Sequence, residues 1–159
     1  MNADCRIREL EPGDVPALAR LVTQLGYAVD AEAMGPRLQR MGEGSGRTTW
    51  VAELDERVVG MIGSELLASY TSDAPAARIV ALVVDEEVRG RGIGRALVRH
   101  AEAALVEAGA GRISLTTRLH RTEAHRFYEG LGYTRNGFRM VRRLPGPDEN
   151  PETGEAPPA

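Results

Sequence analysis

Arg89, Gly92 and Gly94 give the chain its clearest chemical signal, an R-x-x-G-x-G turn that also contains Gly90, Arg91 and Ile93 and is followed by Arg95. An apolar, β-branched run, Ile79 to Val84, comes before it and suits a buried strand. After it Ile93, Leu97, Ala101, Ala104 and Leu105 recur as on the apolar stripe of a helix. A strand that runs through glycine directly into a helix aims backbone N–H groups outward at the helix's positive end, a geometry suited to phosphate. The dinucleotide pattern G-x-G-x-x-G fails, because its last position falls on Arg95 counted from Gly90 and on Leu97 counted from Gly92. A nucleotide-triphosphate loop fails too: it needs a lysine, and all 20 basic residues are arginine.

A second constellation follows, T-R-L-H-R-T-E-A-H-R-F-Y-E-G-L-G-Y, from Thr117 to Tyr133. On a helix Arg121, His125 and Tyr128 are spaced four and then three apart and share a face. His125 reads either as a proton relay or substrate contact, or as a structural histidine. The three histidines have no metal-ligand spacing, and the lone Cys5 makes neither a thiolate site nor an internal disulfide.

Behind these residues the chain must supply a framework. Cys5 to Leu10 alternates as a half-exposed strand, and Asp14 in the Glu11–Asp14 turn is placed to cap a helix. That helix carries Val15, Leu18, Leu21, Val22 and Leu25 on one face and stops at Gly26; a second spans roughly Ala31 to Met41, where Gly35-Pro36 predicts a late start or a kink. Thr48 to Leu54 and Arg57 to Leu67 read as a hairpin, with Trp50 and Ala52 on one side and Gly60 and Gly63 marking a bulge or a close approach. Tyr70 to Ala76 is a loop. Beyond the central strand and helix, Arg112 to Thr117 is a strand and His120 to Gly130 a helix. Tyr133 to Asn136 is a short strand or turn, and Phe138 to Leu144 a last strand. From Pro145 onward the chain holds five of its nine prolines and no large apolar residue, which predicts a disordered tail over 145–159 after a single domain over 1–144.

At 159 residues, with 42% hydrophobic and 27% charged, the chain has the composition of a soluble globular domain. A formal net charge of -3 argues against a nucleic-acid surface. No apolar run approaches the ~18 residues of a membrane span, and one cysteine fits a reducing compartment, so the expectation is cytoplasmic.

With its flanking strand and helix the R-x-x-G-x-G turn resembles the signature of the GNAT superfamily, the acyl-CoA-dependent N-acyltransferases. The element order β-α-α-β-β-β-α-β-α-β is similar as well, over about residues 5 to 144. The resemblance implies an α/β (α+β) GNAT fold: a mixed, mostly antiparallel sheet of about six to seven strands, splayed in the middle and flanked by about four helices. It implies acetyl-CoA as cosubstrate and no metal. The loop from Arg89 to Arg95 would grip the CoA diphosphate, and the backbone of Leu82, Val83 and Val84 would meet the two amides of the pantetheine arm. Those three residues serve equally as plain core strand. Many members have Asn where Arg121 stands; an arginine there would reach a CoA phosphate instead.

Tyr128, just before the Gly132-Tyr133 pair, corresponds to the tyrosine that protonates the departing thiolate in this superfamily. A phenol with an ordinary pKa of ~10 can donate to a thiolate of ~8.5. Some members carry a general-base glutamate on the central strand, but Ala74 to Val84 contains no carboxylate. Glu65, Asp73 or a water chain is left to take the amine's proton, and water assisted by Glu65 is the expectation. The acceptor expected is a primary amine of a small molecule; V-G-M-I-G (Val59 to Gly63), L-V-V and A-H-R-F-Y look like the aminoalkylphosphonate and aminoglycoside acetyltransferases. The alternatives are a protein or peptide acceptor and a non-catalytic acyl-CoA-binding module. No nucleic-acid or membrane partner is expected, and a homodimer is implied by the many members that dimerise.

Overall fold

The computed structural model describes residues 5–42, 44–142 and 144. They fall into two compact units, one through Arg118 and one from Leu119.

The hairpin of the first unit forms where alternation and turn chemistry agree. Strand β2 (Arg47–Leu54) reverses into β3 (Arg57–Leu67) through Asp55 and Glu56, both in the left-handed region at φ 50 and 60, which matches the right-handed twist of the flanking strands. Strand β1 (Arg6–Glu9) pairs antiparallel with β2, and β4 (Ala76–Val84) antiparallel with β3. Strand β5 (Arg112–Leu115) joins β4 in parallel, giving the order β1-β2-β3-β4-β5. Its parallel crossover is helix α3 (Ile93–Glu107), since parallel neighbours need a connection long enough to cross the sheet.

Two faces follow from the register. Val51, Met61 and Val83 lie opposite one another and bury into a core with Leu18, Ala19 and Leu21 of α1 (Val15–Gln24) and Met34 of α2 (Ala31–Arg40). Trp50, Ile62 and Leu82, one residue along, look to the other face, where α3 lies. The edge of Trp50 meets the ring of His100 at 5.7 Å. Gly60 admits α3: a Cβ there would stand 3.1 Å from Leu97 Cδ1 and 3.3 Å from the Val83 carbonyl.

Several expectations change. Helix α2 runs unbroken from Ala31 despite Pro36, because the Asp30 side chain caps the Ala33 N–H at 2.8 Å and the carbonyl that proline leaves unpaired belongs to exposed Glu32. The Asp14 carboxylate does not cap α1; it accepts from Arg8 Nη1 and Nη2 at 2.8 and 3.0 Å and from the Glu11 N–H at 2.8 Å. The expected sheet of six to seven strands has five among the described residues. Residues 133–142 and 144 form no strand, and Phe138 and Met140 are 97% and 93% exposed. Their alternation supplies strand propensity, but a strand also needs a ladder partner, and the described residues from Leu119 onward include one helix, α4 (Thr122–Glu129), and no strand. The expected tail over 145–159 lies outside the described residues.

Candidate active site

The parallel pairing of β4 with β5 runs only from Ala76–Arg112 to Ile79–Leu115. Beyond Ile79 the β3 side of β4 stays paired through Val84, whereas its other edge has no strand partner among the described residues. The sheet opens there as expected. An irregularity coincides with the opening: Gly63 faces Ala81 and Ser64 faces Ile79, so Val80 is an extra residue in β4. Leu82, Val83 and Val84 all lie on the open stretch, where alternate backbone groups face away from β3 and can meet an extended ligand as a strand would.

This edge leads into the glycine turn. Gly90 and Gly92 have φ 78 and 80, the left-handed conformation that glycine adopts without a Cβ penalty. A Cβ built on either meets nothing within 4 Å, so the turn is open to a ligand. Gly92 is the N-cap of α3, and the first helical bond is the Ala96 N–H to the Gly92 carbonyl at 3.0 Å. The N–H groups of Ile93, Gly94 and Arg95 are therefore orphan donors at the positive end of a 15-residue helix. Buried Ile93 anchors the helix start, and Arg89 Nε donates to the Val84 carbonyl at 3.0 Å, tying the turn to the strand end. Exposed Arg91 and Arg95 have no ion pair among the described residues.

Three acidic residues just before the turn would oppose an anion, and two of them are neutralised. Asp85, 1% exposed, pairs with Arg20 of α1 and with Arg57 of β3 at 3.0 Å and caps the Glu87 N–H at 3.2 Å. Burial alone would push its carboxyl up; the bonds from Arg20, the Glu87 N–H and Gln24 outweigh that and hold it below the ordinary carboxylate range. Glu87 pairs with Arg57 at 3.0 Å. Gln24 Oε1 accepts from the Glu86 N–H at 3.1 Å, so Gln24 grips the strand-to-turn junction twice, beside the Arg20 ion pair. Sequence reasoning missed Asp85. Its signal was a carboxylate placed directly at the end of a buried apolar strand.

Glu65 lies on the α1–α2 face of the sheet, opposite Arg47 and Arg78 in the register. It is 3% exposed and accepts from Arg47 Nε at 3.0 Å and from Arg78 Nη2. Asp73 sits on the exposed loop before β4. A cavity of about 410 Å³, lined by Trp50, Ser64, Leu66, Ala104 and Leu105 among others, lies at the C-terminal end of α3, away from the glycine turn, and includes none of the anticipated site residues.

Arg121, His125 and Tyr128 belong to the unit from Leu119. Arg121 is the N-cap of α4, and the His125 N–H closes on its carbonyl at 3.1 Å. The Tyr128 ring meets Phe127 at 5.1 Å and Tyr133 at 5.7 Å, both edge-on, and the Tyr133 N–H returns to the Tyr128 carbonyl at 3.0 Å. The phenol hydroxyl has no hydrogen-bond partner among the described residues. Burial raises its pKa above the ordinary tyrosine value while Arg121 pulls the other way, so the group is a protonated donor at neutral pH.

A human protein, N-acetyltransferase 8B, is 34% identical over 62% of this chain and 45% of its own length. The aminoalkylphosphonate N-acetyltransferase of Salmonella typhimurium is 37% identical over 55% of this chain and 56% of its own. The chain thus spans about half the length of these curated relatives. An aminoglycoside acetyltransferase from a soil metagenomic sample, solved with trehalose, superposes with a TM-score of 0.77 at 22% identity, covering 91% of this chain and 99% of that one; at that identity the likeness concerns the fold. No helix among the described residues is long and apolar enough to cross a membrane. The model of the "Acetyltransferase (GNAT) family" matches residues 16–133, from the start of α1 to Tyr133 and through both the glycine turn and Tyr128, so this chain belongs to that family.

Proposed function

We propose that the protein transfers an acetyl group from acetyl-CoA to a primary amine of a small molecule, by direct attack through a tetrahedral intermediate. The observation that carries the reading is the open left-handed turn at Gly90 and Gly92, continuous with the unpaired edge of β4. The donors present suit the cosubstrate: orphan amides at Ile93, Gly94 and Arg95, with Arg89, Arg91 and Arg95 around them, match a diphosphate, and the edge at Leu82, Val83 and Val84 matches two amides. Arg121 is assigned to a further phosphate contact.

The chemistry follows from these roles. The amine nitrogen attacks the thioester carbonyl, and the oxyanion that forms takes a backbone N–H of β4. The C–S bond then breaks, and the Tyr128 phenol gives its proton to the departing sulfur. The acceptor's own ammonium, with a pKa of ~10, first loses a proton to water, assisted by Glu65. The nitrogen, cationic after attack, sheds its second proton through water to solvent, and the phenolate regains one from the same solvent, so the net products are the amide, the free thiol and one released proton. The kinship with the aminoalkylphosphonate enzyme supports a small charged amine as acceptor.

A second reading, a non-catalytic acyl-CoA-binding module, draws on one observation: both oxygens of Glu65 already accept from guanidinium groups. Thermal-shift titration with acetyl-CoA, CoA and ATP, followed by thiol release from a panel of primary amines, separates the two. Protection by both CoA species with thiol release that Tyr128→Phe abolishes supports the enzyme. Protection without release from any amine supports the module, and protection by ATP alone defeats both.

A further inference from the structure

We propose that the acceptor carries an acidic group, a carboxylate or phosphonate, besides its amine, and that Arg47 and Arg78 bind that group; this rests on the acetyl-transfer reading above. The two arginines flank Glu65 in one cross-strand row on the α1–α2 face of the sheet. The Glu65 side chain is 4% exposed, while those of Arg47 and Arg78 are 43% and 50% exposed. The carboxylate therefore lies beneath two surface guanidiniums and fixes both. Arg47 engages it through Nε and Arg78 through Nη2. A guanidinium has five N–H donors, and the others on these two arginines meet no acceptor among the described residues. Two cations over one anion leave the row with a net positive charge and a set of oriented, outward donors, the arrangement that binds a planar carboxylate or a phosphonate bidentately.

The neighbouring row supplies the rest of the site. Thr49, Gly63 and Ala81 lie opposite one another, one step from the arginines toward the core. Gly63 has no side chain, and the extra residue Val80 folds over it, its Cγ2 3.3 Å from where a Cβ would stand. Val80 is 46% exposed, which gives a small apolar surface between the arginines and the open edge of β4. Arg78 and Ala81 are three residues apart, roughly 10 Å of strand, a span that an arginine side chain and a short alkyl chain bridge together. An acid group on the arginines would thus leave an amine at the end of a short chain beside the opened strand.

The test compares acceptors matched in length: an ω-aminoalkyl phosphonate, an ω-aminoalkyl carboxylate and an n-alkylamine. The acids should exceed the alkylamine in kcat/KM by about 10-fold or more, the range of a charge-assisted hydrogen bond. Arg78→Gln and Arg47→Gln should each remove most of that acid-over-alkylamine advantage through KM, with CoA protection intact. The aminoalkyl phosphonate should also raise the melting temperature of the CoA-bound wild type and not that of the variants, a readout that holds if one variant folds poorly or turnover is slow. Equal use of acids and alkylamine by the wild type, or no phosphonate-induced shift, overturns the inference while leaving acetyl transfer standing. Absence of CoA protection would instead sink the transferase reading itself.

Discussion

Gly92→Ala separates the cost of the turn's conformation from the cost of losing its ligand. Gly92 stands at φ 80, and a Cβ there meets nothing within 4 Å, so the substitution brings no clash and only the left-handed penalty of about 1–2 kcal/mol. For a domain of this size that lowers the melting temperature by roughly 3–8 °C. Gly13→Ala is the matched control: it too meets nothing, and its backbone is not left-handed. With CoA at about 100 times its Kd, the wild type gains about 2.7 kcal/mol. A methyl group over the N-cap holds a diphosphate off the amides of Ile93 and Gly94, and losing one charge-assisted contact of about 2 kcal/mol raises Kd roughly 30-fold. At the same CoA concentration the protection then shrinks to about 0.9 kcal/mol. Thermal denaturation of wild type, Gly92→Ala and Gly13→Ala, each with and without CoA, reads both quantities. If Gly92→Ala melts earlier but keeps the full CoA increment, the turn is not where the diphosphate binds and the reasoning fails.

Tyr128→Phe should lower kcat by about 10²–10⁴-fold while CoA protection stays within error, because the ring contacts with Phe127 and Tyr133 survive and only the proton donor is lost. Since burial raises the Tyr128 pKa, the alkaline fall in kcat should begin above pH ~10; a fall centred near pH 8 would assign the proton to another group. Asp85→Asn should cost about 1–3 kcal/mol in urea denaturation by leaving Arg20 and Arg57 without their carboxylate; a loss below ~0.5 would show the network to be passive. Acid stability follows from Asp14, held low first by the hydrogen bonds of Arg8, and from Asp85. Both folded values lie below the unfolded one of ~3.9, so their contribution is complete above that pH and lost as the pH falls through the depressed values. Unfolding free energy should therefore drop below about pH 4, with a shallower acid slope in Asp85→Asn; equal slopes would refute the assignment.

What the sequence disclosed was what local pattern dictates. The Ile79–Val84 run, the glycine turn and the stripe from Ile93 to Leu105 each impose their own geometry, and the structure has them as the end of β4, the turn and α3. Gly60 and Gly63 pointed to a bulge or a close approach; α3 comes close over Gly60, and the extra residue beside Gly63 belongs to the neighbouring strand β4. What long-range pairing decides was hidden. Asp14 has the type and position of a helix cap, but Arg8 across the turn competes for its carboxylate with two charge-assisted hydrogen bonds. The alternation of Phe138 and Met140 promised a strand, yet alternation cannot provide the edge that a strand must join. Glu65 was legible as a carboxylate near the central strand; its two arginine partners, 18 residues earlier and 13 later, came only with the register.

That register also explains why one extra residue matters. Val80 enters β4 at the point where β5 ceases to pair, so the strand changes its side-chain phase where it loses its neighbour. Without the bulge, every residue from Ala81 to Val84 would face the other way, and Val83 would leave the core that it shares with Leu18, Leu21 and Val51. With it, the strand keeps one alternation that sets Arg78 beside Glu65 and another that buries Val83 beneath α1. The open edge beyond carries the backbone groups that lead to the glycine turn. The same insertion puts Val80 over Gly63, where a larger residue than glycine would push it away. The charged row, the apolar step and the open edge therefore depend on a single phase shift in β4.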